Sequence, residues 1–266
     1  MDIQYQIISV FTDQNKGFQG NPSAVILLYQ NLSDAELKEI AIKLDQPATT
    51  FLWKIPGTEE YKIRWFAPSD EIGLCGHGTA AATAFLSQKL GVNGPFRMHY
   101  AEGIVEGQVN ADQTISISIN AIIVQEKVEK VPEEILNGLG APILGMYRTA
   151  NKYIILTDSE KSVQQMKPDF EQLKKCDIFG YAVTAQGEGE DFVSRTIIPH
   201  TKILEDSATG SSHAMLVPFW AERLGKEHFK AAQFSPRGGT FVCELKASIV
   251  KLCGEYVLEE KGTINI

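Results

Sequence analysis

The chain has 266 residues, with 44% hydrophobic and 22% charged residues, and its formal net charge is −8. This length allows one large domain or two domains of ordinary size, and the composition is typical of a globular protein. An acidic chain without a Lys/Arg-rich run is poorly suited to nucleic acid, whose binding requires clustered positive charge. No apolar run reaches the roughly 18 residues that a membrane span requires. We therefore expect neither nucleic acid nor a membrane as a partner.

The N-terminal sequence and the cysteines indicate a compartment. The segment MDIQYQIISVF has no basic region, no long apolar core and no cleavage site, so we expect no signal peptide. The four cysteines form no CxxC pair and lie mostly in apolar runs; they are Cys75, Cys176, Cys243 and Cys253. We interpret them as reduced thiols of a cytoplasmic protein, with the last three as small core residues.

In chain order, the first half alternates strand-like runs with two helical segments. A GNP turn is predicted at 20–22. Helices are predicted at 32–44, where Ser33 and Glu36 form a capping-box pattern, and at 76–91, where Gly91 ends the helix. Strands are predicted at 5–11, 23–29, 48–55, 61–67, 96–102, 104–110 and 114–120.

The second half repeats this order of elements. Helices are predicted at 132–140, near 159–167 and at 208–225, and strands at 153–158, 180–186, 191–199, 241–253 and 255–266. The sequence turns charged near 119–131, and we place a domain boundary there. This predicts an N-terminal domain at 1–122 and a C-terminal domain at 123–255.

Two of the predicted helices begin alike, in LCGHGTAAATAFL and in SATGSSHAMLVPF. Each has small residues in its first turns and then becomes apolar, and each follows a strand with an arginine, IRWFAP or SRTIIP. Such a helix suits the centre of a curved sheet, and the free N–H groups at its start can bind an anion. The pattern favours a duplicated fold in which two helix N-termini face each other.

The first of these starts, LCGHGT, allows three interpretations. A zinc site requires three or four ligands, and Cys75 and His77 have no second pair nearby in the sequence. A Cys–His dyad is possible because a helix N-terminus lowers the pKa of a cysteine. The third is a tight turn with Cys75 as filler. Because the positive end of the helix disfavours a charged imidazole, we expect a neutral His77 that exchanges one proton with a ligand.

The second start, LEDSATGSS, places Asp206 just before the helix. This aspartate is either an N-cap or a partly desolvated base that faces a ligand. The hydroxyls of Thr209, Ser211 and Ser212, together with helix N–H groups, are candidates to hold a carboxylate. The GxSxG elbow of serine hydrolases and the glycine-rich phosphate loops are absent from the sequence.

At these residues the sequence resembles a known family. GFQGNPSAVIL, IRWFAPSDEIGLCGHGTAAA, SRTIIPHTKILEDSATGSSHAMLVPF and SPRGG occur in the order found in the phenazine-biosynthesis PhzF-like isomerases. The resemblance implies the diaminopimelate epimerase-like fold, an α+β fold of two similar domains, each a curved β-sheet or barrel around a central helix. It also implies an active-site cleft between the domains, a last strand, about 256–266, that returns to the first domain, and a homodimer.

The resemblance also implies roles for individual residues. His77 and Asp206 match an acid–base pair, and Gly76 and Ser211 match residues that line the same pocket. We add Gly210 and Thr209 as substrate-binding candidates at the second helix start. The implied reaction is a proton transfer on a small carboxylic acid, without metal or cofactor.

The sequence departs from the family at its main acid–base residue, a glutamate in a SETTF stretch. This chain reads QPATTFL, so Ala48 takes the glutamate's place and cannot carry a proton; Asp45 lies three residues earlier. The related epimerases use one cysteine at each helix start. In this chain Cys75 matches the first of these cysteines, whereas Ser207 and Ala208 stand near the position of the second. Two alternatives therefore stay open: a catalytically silent relative that binds a small metabolite, and an epimerase that uses Cys75 as its only thiol.

Overall fold

A buried α-helix surrounded by β-strands occurs twice in a computed structural model of the chain, which describes residues 2–266. The chain divides into two compact units. The first comprises the residues up to Ile119 together with Lys251–Ile266, and the second comprises Asn120–Val250.

Within the described residues, the first unit is built from nine strand segments and two α-helices. Its helices are α1 (Asp34–Leu44) and α2 (Gly76–Leu90). Its strands are β1 (Asp2–Thr12), β2 (Asn21–Leu28), β3 (Ala48–Lys54), β4 (Tyr61–Phe66), β5 (Glu71–Ile72), β6 (Phe96–Tyr100), β7 (Gly103–Val109), β8 (Ile115–Asn120) and β17 (Ile249–Asn265).

The long strands of this unit close into a barrel. β1 pairs antiparallel with β17 on one side and with β2 on the other. From β2 the pairing continues through β3, β4, β6, β7 and β8, parallel in the β2–β3 and β4–β6 pairs, and β8 pairs with β17. Because β1 pairs with β17, the last strand of the chain belongs to the same barrel as the first.

Helix α2 forms the core of this barrel. Every residue from Gly76 to Leu86 is buried, and the helix packs against β1, β2, β3 and β7. A helix that buries all its faces needs small and apolar residues all round, as the run of alanines and threonines in α2 provides. The predicted helix at 76–91 is confirmed, and Gly91 ends it in the left-handed conformation with φ of 70°.

The second unit is built from eight strands and four helices. Its helices are α3 (Glu133–Gly138), α4 (Glu160–Gln165), α5 (Phe170–Leu173) and α6 (Gly210–Leu224). Its strands are β9 (Val124–Lys127), β10 (Gly145–Thr149), β11 (Tyr153–Leu156), β12 (Tyr181–Gln186), β13 (Phe192–Ile197), β14 (Glu205–Asp206), β15 (His228–Gln233) and β16 (Gly239–Lys246).

The order of strand pairing in the second unit repeats that of the first. β10 pairs antiparallel with β11, β11 parallel with β12, β12 antiparallel with β13, β13 parallel with β15, and β15 antiparallel with β16. The short β14 pairs with β13 just as β5 pairs with β4. The predicted α+β fold of two similar units, each with a central helix, is thereby confirmed.

Helix α6 is the counterpart of α2 and is buried over most of its length. Pro218 lies inside the helix and has no N–H to donate to the carbonyl of Ala214. That carbonyl instead accepts a hydrogen bond of 2.9 Å from the N–H of Ile122. The proline is therefore tolerated, because another segment of the same unit provides the hydrogen-bond donor that the Ala214 carbonyl lacks within the helix.

The local signals identified α1 correctly. Ser33 is its N-cap, and a capping box joins the Ser33 side chain to the N–H of Glu36 and the Glu36 side chain to the N–H of Ser33. The predicted GNP turn at 20–22 is wrong in its position. Asn21 and Pro22 already pair with Val10 and Ser9 as the start of β2, and the reversal lies at residues 13–20.

Other strands were missed. β9 (VQEK) and β15 (HFKAAQ) consist mostly of Gln, Glu, Lys or alanine, so they lack the strong β propensity on which the prediction relied. β10 (GMYRT) is a run of only five residues that begins with glycine. At the end of the chain, β16 stops at Lys246, and one strand of 17 residues, β17, follows. The interruption falls at Ala247, whose φ is 52°.

Candidate active site

Each central helix starts a few residues after a short strand that an arginine holds in place. In the first unit, Nε and Nη2 of Arg64 on β4 both donate to the carboxylate of Glu71 on β5, at 2.7 Å each. In the second unit, Arg195 on β13 donates in the same way to Glu205 on β14, at 2.8 and 2.7 Å. Such paired bonds fix orientation as well as distance, and both helices begin five residues after the glutamate.

The N-terminus of α2 is packed too closely to admit larger residues. Cys75 is the N-cap, and its Sγ accepts the N–H of Gly78 at 3.4 Å. A β-carbon on Gly78 would lie 2.6 Å from Cδ1 of Trp65 and 2.7 Å from Oγ1 of Thr50. Glycine is therefore required at this position by the close approach of β3 and β4, and Gly76 beside it is buried as well.

His77 occupies the first turn of α2 and is only 7% exposed. Its Nδ1 lies 3.3 Å from the amide nitrogen of Asn21, at the start of β2. Because an amide nitrogen can only donate, Nδ1 accepts, and the neutral imidazole then carries its proton on Nε2. Asn21 thus sets the tautomer of His77. It belongs to the GNP segment, for which the sequence predicted a turn and no contact with the histidine.

Cys75 and His77 also lie close together. The Cys75 Sγ is 3.5 Å from Nδ1 and 3.7 Å from Nε2 of the ring. Since the sulfur is almost equally far from both nitrogens, it is aligned with neither of them, whereas a hydrogen bond requires alignment with one. The pair is in contact, but its geometry is not that of a nucleophile aimed at its base.

In the second unit, the carboxylate of Asp206 is held by two donors at the end of β14. Oδ1 accepts the N–H of Ser207 at 3.0 Å, and Oδ2 accepts the hydroxyl of Thr209 at 2.7 Å. The N-cap of α6 is Thr209, not Asp206, and the Thr209 side chain makes no capping bond. The N-cap interpretation of Asp206 is therefore wrong, and the first N–H groups of α6 receive no cap from the Thr209 hydroxyl.

Gln233, at the end of β15, clamps this loop. Its Nε2 donates to the carbonyl of Asp206 at 2.7 Å, and its Oε1 accepts the N–H of Thr209 at 2.9 Å. Gln233 is fully buried, so these bonds are shielded from water. Ser235 adds a bond from its hydroxyl to the carbonyl of Ser207, at 2.9 Å. Gln233 was not predicted as part of the site, because β15 was not recognised as a strand from its sequence.

Ser211, in the first turn of α6, contacts a buried lysine. The Nζ of Lys152 donates to Oγ of Ser211 at 2.9 Å and to Oδ1 of Asn151 at 2.7 Å. Burial lowers the pKa of Lys152 to about 8, and the negative charge of Asp206 partly opposes this shift. Nothing in the local sequence, TANKYIIL, distinguishes this lysine from a solvated one.

The two helix starts can be compared position by position. The N-cap residues Cys75 and Thr209 have similar backbone angles, with ψ of 104° in both, and Gly76 corresponds to Gly210. The position that matches Cys75 therefore carries a hydroxyl rather than a second thiol. Ser211 is the counterpart of His77, so the duplicated scaffold carries different chemistry at its two helix starts.

Neither Ala48, which stands where the family has a glutamate, nor the nearby Asp45 replaces that acid in the first unit. Ala48 is fully buried at the start of β3, and its carbonyl accepts the hydroxyl of Ser23 at 3.1 Å. Asp45 lies on the surface as the left-handed C-cap of α1, with φ of 46°. Asp45 therefore has a structural role at the end of a helix.

Of the six predicted site residues, the first unit carries Gly76 and His77, and the second brings together Asp206, Thr209, Gly210 and Ser211. Within residues 2–266, no group of three or more His, Cys, Asp or Glu side chains is placed to hold a metal ion. No helix in the same range is both long and apolar enough to cross a membrane.

Comparison with known proteins identifies the family. The model of the phenazine biosynthesis-like proteins, PhzC-PhzF, matches residues 8–262. The chain belongs to the phenazine biosynthesis-like family. A relative named as an uncharacterized isomerase of Pseudomonas aeruginosa is 33% identical over 267 residues and covers 100% of both chains. Another relative with that description, from Halalkalibacterium halodurans, is 33% identical over 256 residues and covers 94% of each chain. The protein is accordingly an isomerase of this family.

Solved structures of the family have the same fold. The crystal structure of a PhzF-family phenazine biosynthesis protein from Enterococcus faecalis superposes with a TM-score of 0.90, at 34% identity over 100% of both chains. A predicted epimerase from Pseudomonas aeruginosa has a TM-score of 0.75 at 18% identity, covering 98% of this chain and 99% of its own. The second likeness concerns the fold alone and confirms the epimerase-like architecture.

Proposed function

We propose that this isomerase moves a proton within a small carboxylic acid, without a cofactor, and that Asp206 and His77 share the acid–base work. The observation that carries the proposal is the arrangement at the start of α6. There a half-buried carboxylate is fixed by two donors, next to helix N–H groups that the N-cap side chain leaves uncapped. A base for C–H abstraction requires such a fixed position, and a developing enolate is stabilised by preorganised donors.

His77 is suited to the role of proton donor. Its Nδ1 faces the Asn21 amide, so the proton of the neutral ring is on Nε2. The ring is almost fully buried, so the site shields it from bulk water. Once Asp206 has taken a proton from one carbon, Nε2–H of the neutral ring can protonate the second carbon, and the proton that Asp206 carries then returns to Nε2.

The remaining predicted residues have distinct roles in this proposal. Ser211 and the N–H groups of the first turn of α6, starting at Gly210, hold the substrate's carboxylate. Gly76 leaves room for the substrate beside His77. Thr209 serves as a positioning residue, because its hydroxyl is committed to Asp206 and its N–H to Gln233.

The test is proton NMR in D₂O with the purified protein and a panel of substrates. The panel comprises dihydro-hydroxyanthranilate and small hydroxy and amino acids. We expect deuterium to enter one carbon position of a carboxylic acid, and we expect the exchange to fall by at least 100-fold in Asp206→Asn and in His77→Ala. Matched controls are Asp191→Asn, another half-buried carboxylate of the second unit, and His99→Ala on β6. Exchange that both active-site variants retain would overturn the assignment.

The buried Ala48 favours a second candidate, a relative that binds a small metabolite without turning it over. Crystal soaks with the same panel separate the two functions. A ligand bound with its labile C–H far from every carboxylate and imidazole, together with no deuterium exchange, would favour the binder. A ligand whose C–H faces Asp206 or His77 would favour the isomerase.

A third candidate is an epimerase with one thiol, because Cys75 is the N-cap of α2, where the resemblance places the first cysteine of the epimerases. In that case Cys75→Ser would abolish exchange, because a serine hydroxyl is a far weaker base than a thiolate at neutral pH. Under the leading proposal the variant keeps its activity, since a serine also serves as an N-cap for α2.

A further inference from the structure

Lys152 is a buried cation in the loop between β10 and β11. It is only 6% exposed, and its Nζ lies 5.9 Å from the ring centroid of Phe179. The hydrogen-bond acceptors of Nζ are the neutral oxygens of Ser211 and Asn151. An ammonium group has three N–H donors, so one donor is left for another partner.

The charge of Lys152 is compensated incompletely. Within the described residues 2–266 it forms no ion pair, although the charge of Asp206 acts on it electrostatically. A buried cation that lacks a paired anion is costly, and this cost is the physical reason for its lowered pKa. An anion that binds beside such a lysine would compensate its charge and remove this cost.

The donors around Lys152 converge on the start of α6. Because the Ser211 oxygen accepts from Nζ, the Ser211 hydroxyl keeps its own proton for a ligand. Ser211 is half-buried and therefore within reach of a small molecule. The first N–H groups of α6, which the Thr209 side chain does not cap, point in the N-terminal direction of the helix. Every group of this set is a hydrogen-bond donor, so the set is suited to bind a carboxylate, whose oxygens only accept.

We propose that Lys152 is the specificity-determining cation that binds the substrate's carboxylate, together with Ser211 and the N-terminus of α6. This role presupposes the proposed function of the same site. Asp206 lies close enough to interact electrostatically with Lys152. Without a cation beside it, a bound carboxylate would therefore be repelled by the charge of Asp206. Lys152 offsets this repulsion and gives the site a preference for acids over their neutral amides or esters.

Binding of benzoate and of benzamide, measured by calorimetry or by NMR line broadening, tests this role. We expect wild type to bind benzoate and to bind neutral benzamide at least tenfold more weakly. Lys152→Met, which keeps the length but removes the charge, should weaken benzoate binding roughly 10- to 100-fold, the range of a hydrogen bond to a charged group. Lys152→Arg should retain most of the affinity. The matched control is Lys175→Met, because Lys175 also donates to a neutral amide, that of Gln172, but on the surface.

The pH dependence of benzoate binding is a second readout, which a merely structural lysine would not affect. The affinity should be constant below pH 8 and should fall by up to tenfold per pH unit above it, as the free protein loses the Lys152 proton. Asp206 is the charged group that acts on Lys152, and the side chains of its other neighbours, Asn151, Ser211 and Phe179, carry no titratable group. Lys152→Met should lack this dependence.

Each outcome decides for or against the role of Lys152. Wild type that binds no benzoate, or Lys152→Met that binds it with unchanged affinity and pH profile, would overturn the inference. The proposed function fails separately. If benzoate binding depends on Lys152 but no acid of the panel exchanges deuterium, the carboxylate site stands and the isomerase mechanism does not. If exchange occurs with an unchanged KM in Lys152→Met, the mechanism stands and the role of Lys152 does not.

Discussion

Replacing Arg195 by methionine should destabilise the second unit strongly. Arg195 makes two bonds to Glu205, and its Nη1 donates to the carbonyl of Met166 at 2.7 Å. The side chains of Arg195 and Glu205 are only 11% and 8% exposed. Arg195→Met therefore leaves a buried carboxylate without its counter-ion. Breaking such a pair from one side costs about 3–5 kcal/mol of the free energy of unfolding.

The first unit offers a matched comparison. Arg64 makes the same paired bond to Glu71, but the Glu71 side chain is 45% exposed and Asp34, the second partner, is 80% exposed. Water can solvate both carboxylates after Arg64→Met, so the loss should be about 1 kcal/mol or less. The two variants thus differ in burial rather than in bond geometry.

Thermal and urea unfolding, followed by circular dichroism, measure both losses. A change of 1 kcal/mol shifts Tm by about 2–4 °C for a chain of this size, so Arg195→Met should lower Tm by roughly 6–20 °C. The double variant Arg195→Met/Glu205→Gln should recover part of this loss because it removes the unpaired charge. If Arg64→Met were as damaging as Arg195→Met, or the double variant recovered nothing, burial would not be what sets the cost.

Three further predictions concern stability. Burial lowers the pKa of His213 to about 4, whereas the unfolded chain has the usual value of about 6.5. Stability should therefore fall by up to about 3 kcal/mol as the pH decreases from 6.5 to 4, and His213→Phe should show a shallower slope in urea midpoints over that window. Gly78→Ala should lower the free energy of unfolding by about 1–3 kcal/mol through overpacking against Trp65, whereas Gly73→Ala, with open space around it, should be nearly neutral in the same urea titration. Lys152→Met should be more stable than wild type at pH 7. The difference in the free energy of unfolding should shrink by about 3 kcal/mol as the pH rises from 8 to 10.5, because the unfolded chain holds the lysine proton up to the higher pH. A difference that stays unchanged in parallel thermal unfolding of the two proteins would contradict a buried charged lysine.

Much of the fold could be predicted from local sequence signals. The capping box of Ser33 and Glu36, the C-terminal Gly91 and the small-residue starts of α2 and α6 depend on residues within one or two helical turns. The arginine on each strand that leads to a central helix revealed the duplication. The glutamates that pair with these arginines lie 7 and 10 residues further on, near enough to appear in the same motif.

The strands of low β propensity could not be predicted in this way. β15 reads HFKAAQ, and its position depends on pairing with β13 and β16 rather than on its own residues. With β15 unrecognised, Gln233 could not be placed against Asp206 and Thr209. The GNP turn was predicted wrongly for a similar reason. The pairing of β1 with β2 overrides the turn preference of glycine, asparagine and proline.

The sequence by itself determined the family, the α+β fold with two central helices, and the candidate residues His77, Asp206 and Ser211. Only the tertiary structure decided what surrounds these residues. Asn21 lies 56 positions from His77, and Lys152 lies 59 positions from Ser211. Helix caps and periodicity are interactions between near neighbours in the chain, so a sequence displays them directly. The tautomer of a histidine and the burial of a lysine depend on which distant segments the closed sheet brings together, and no local pattern encodes that.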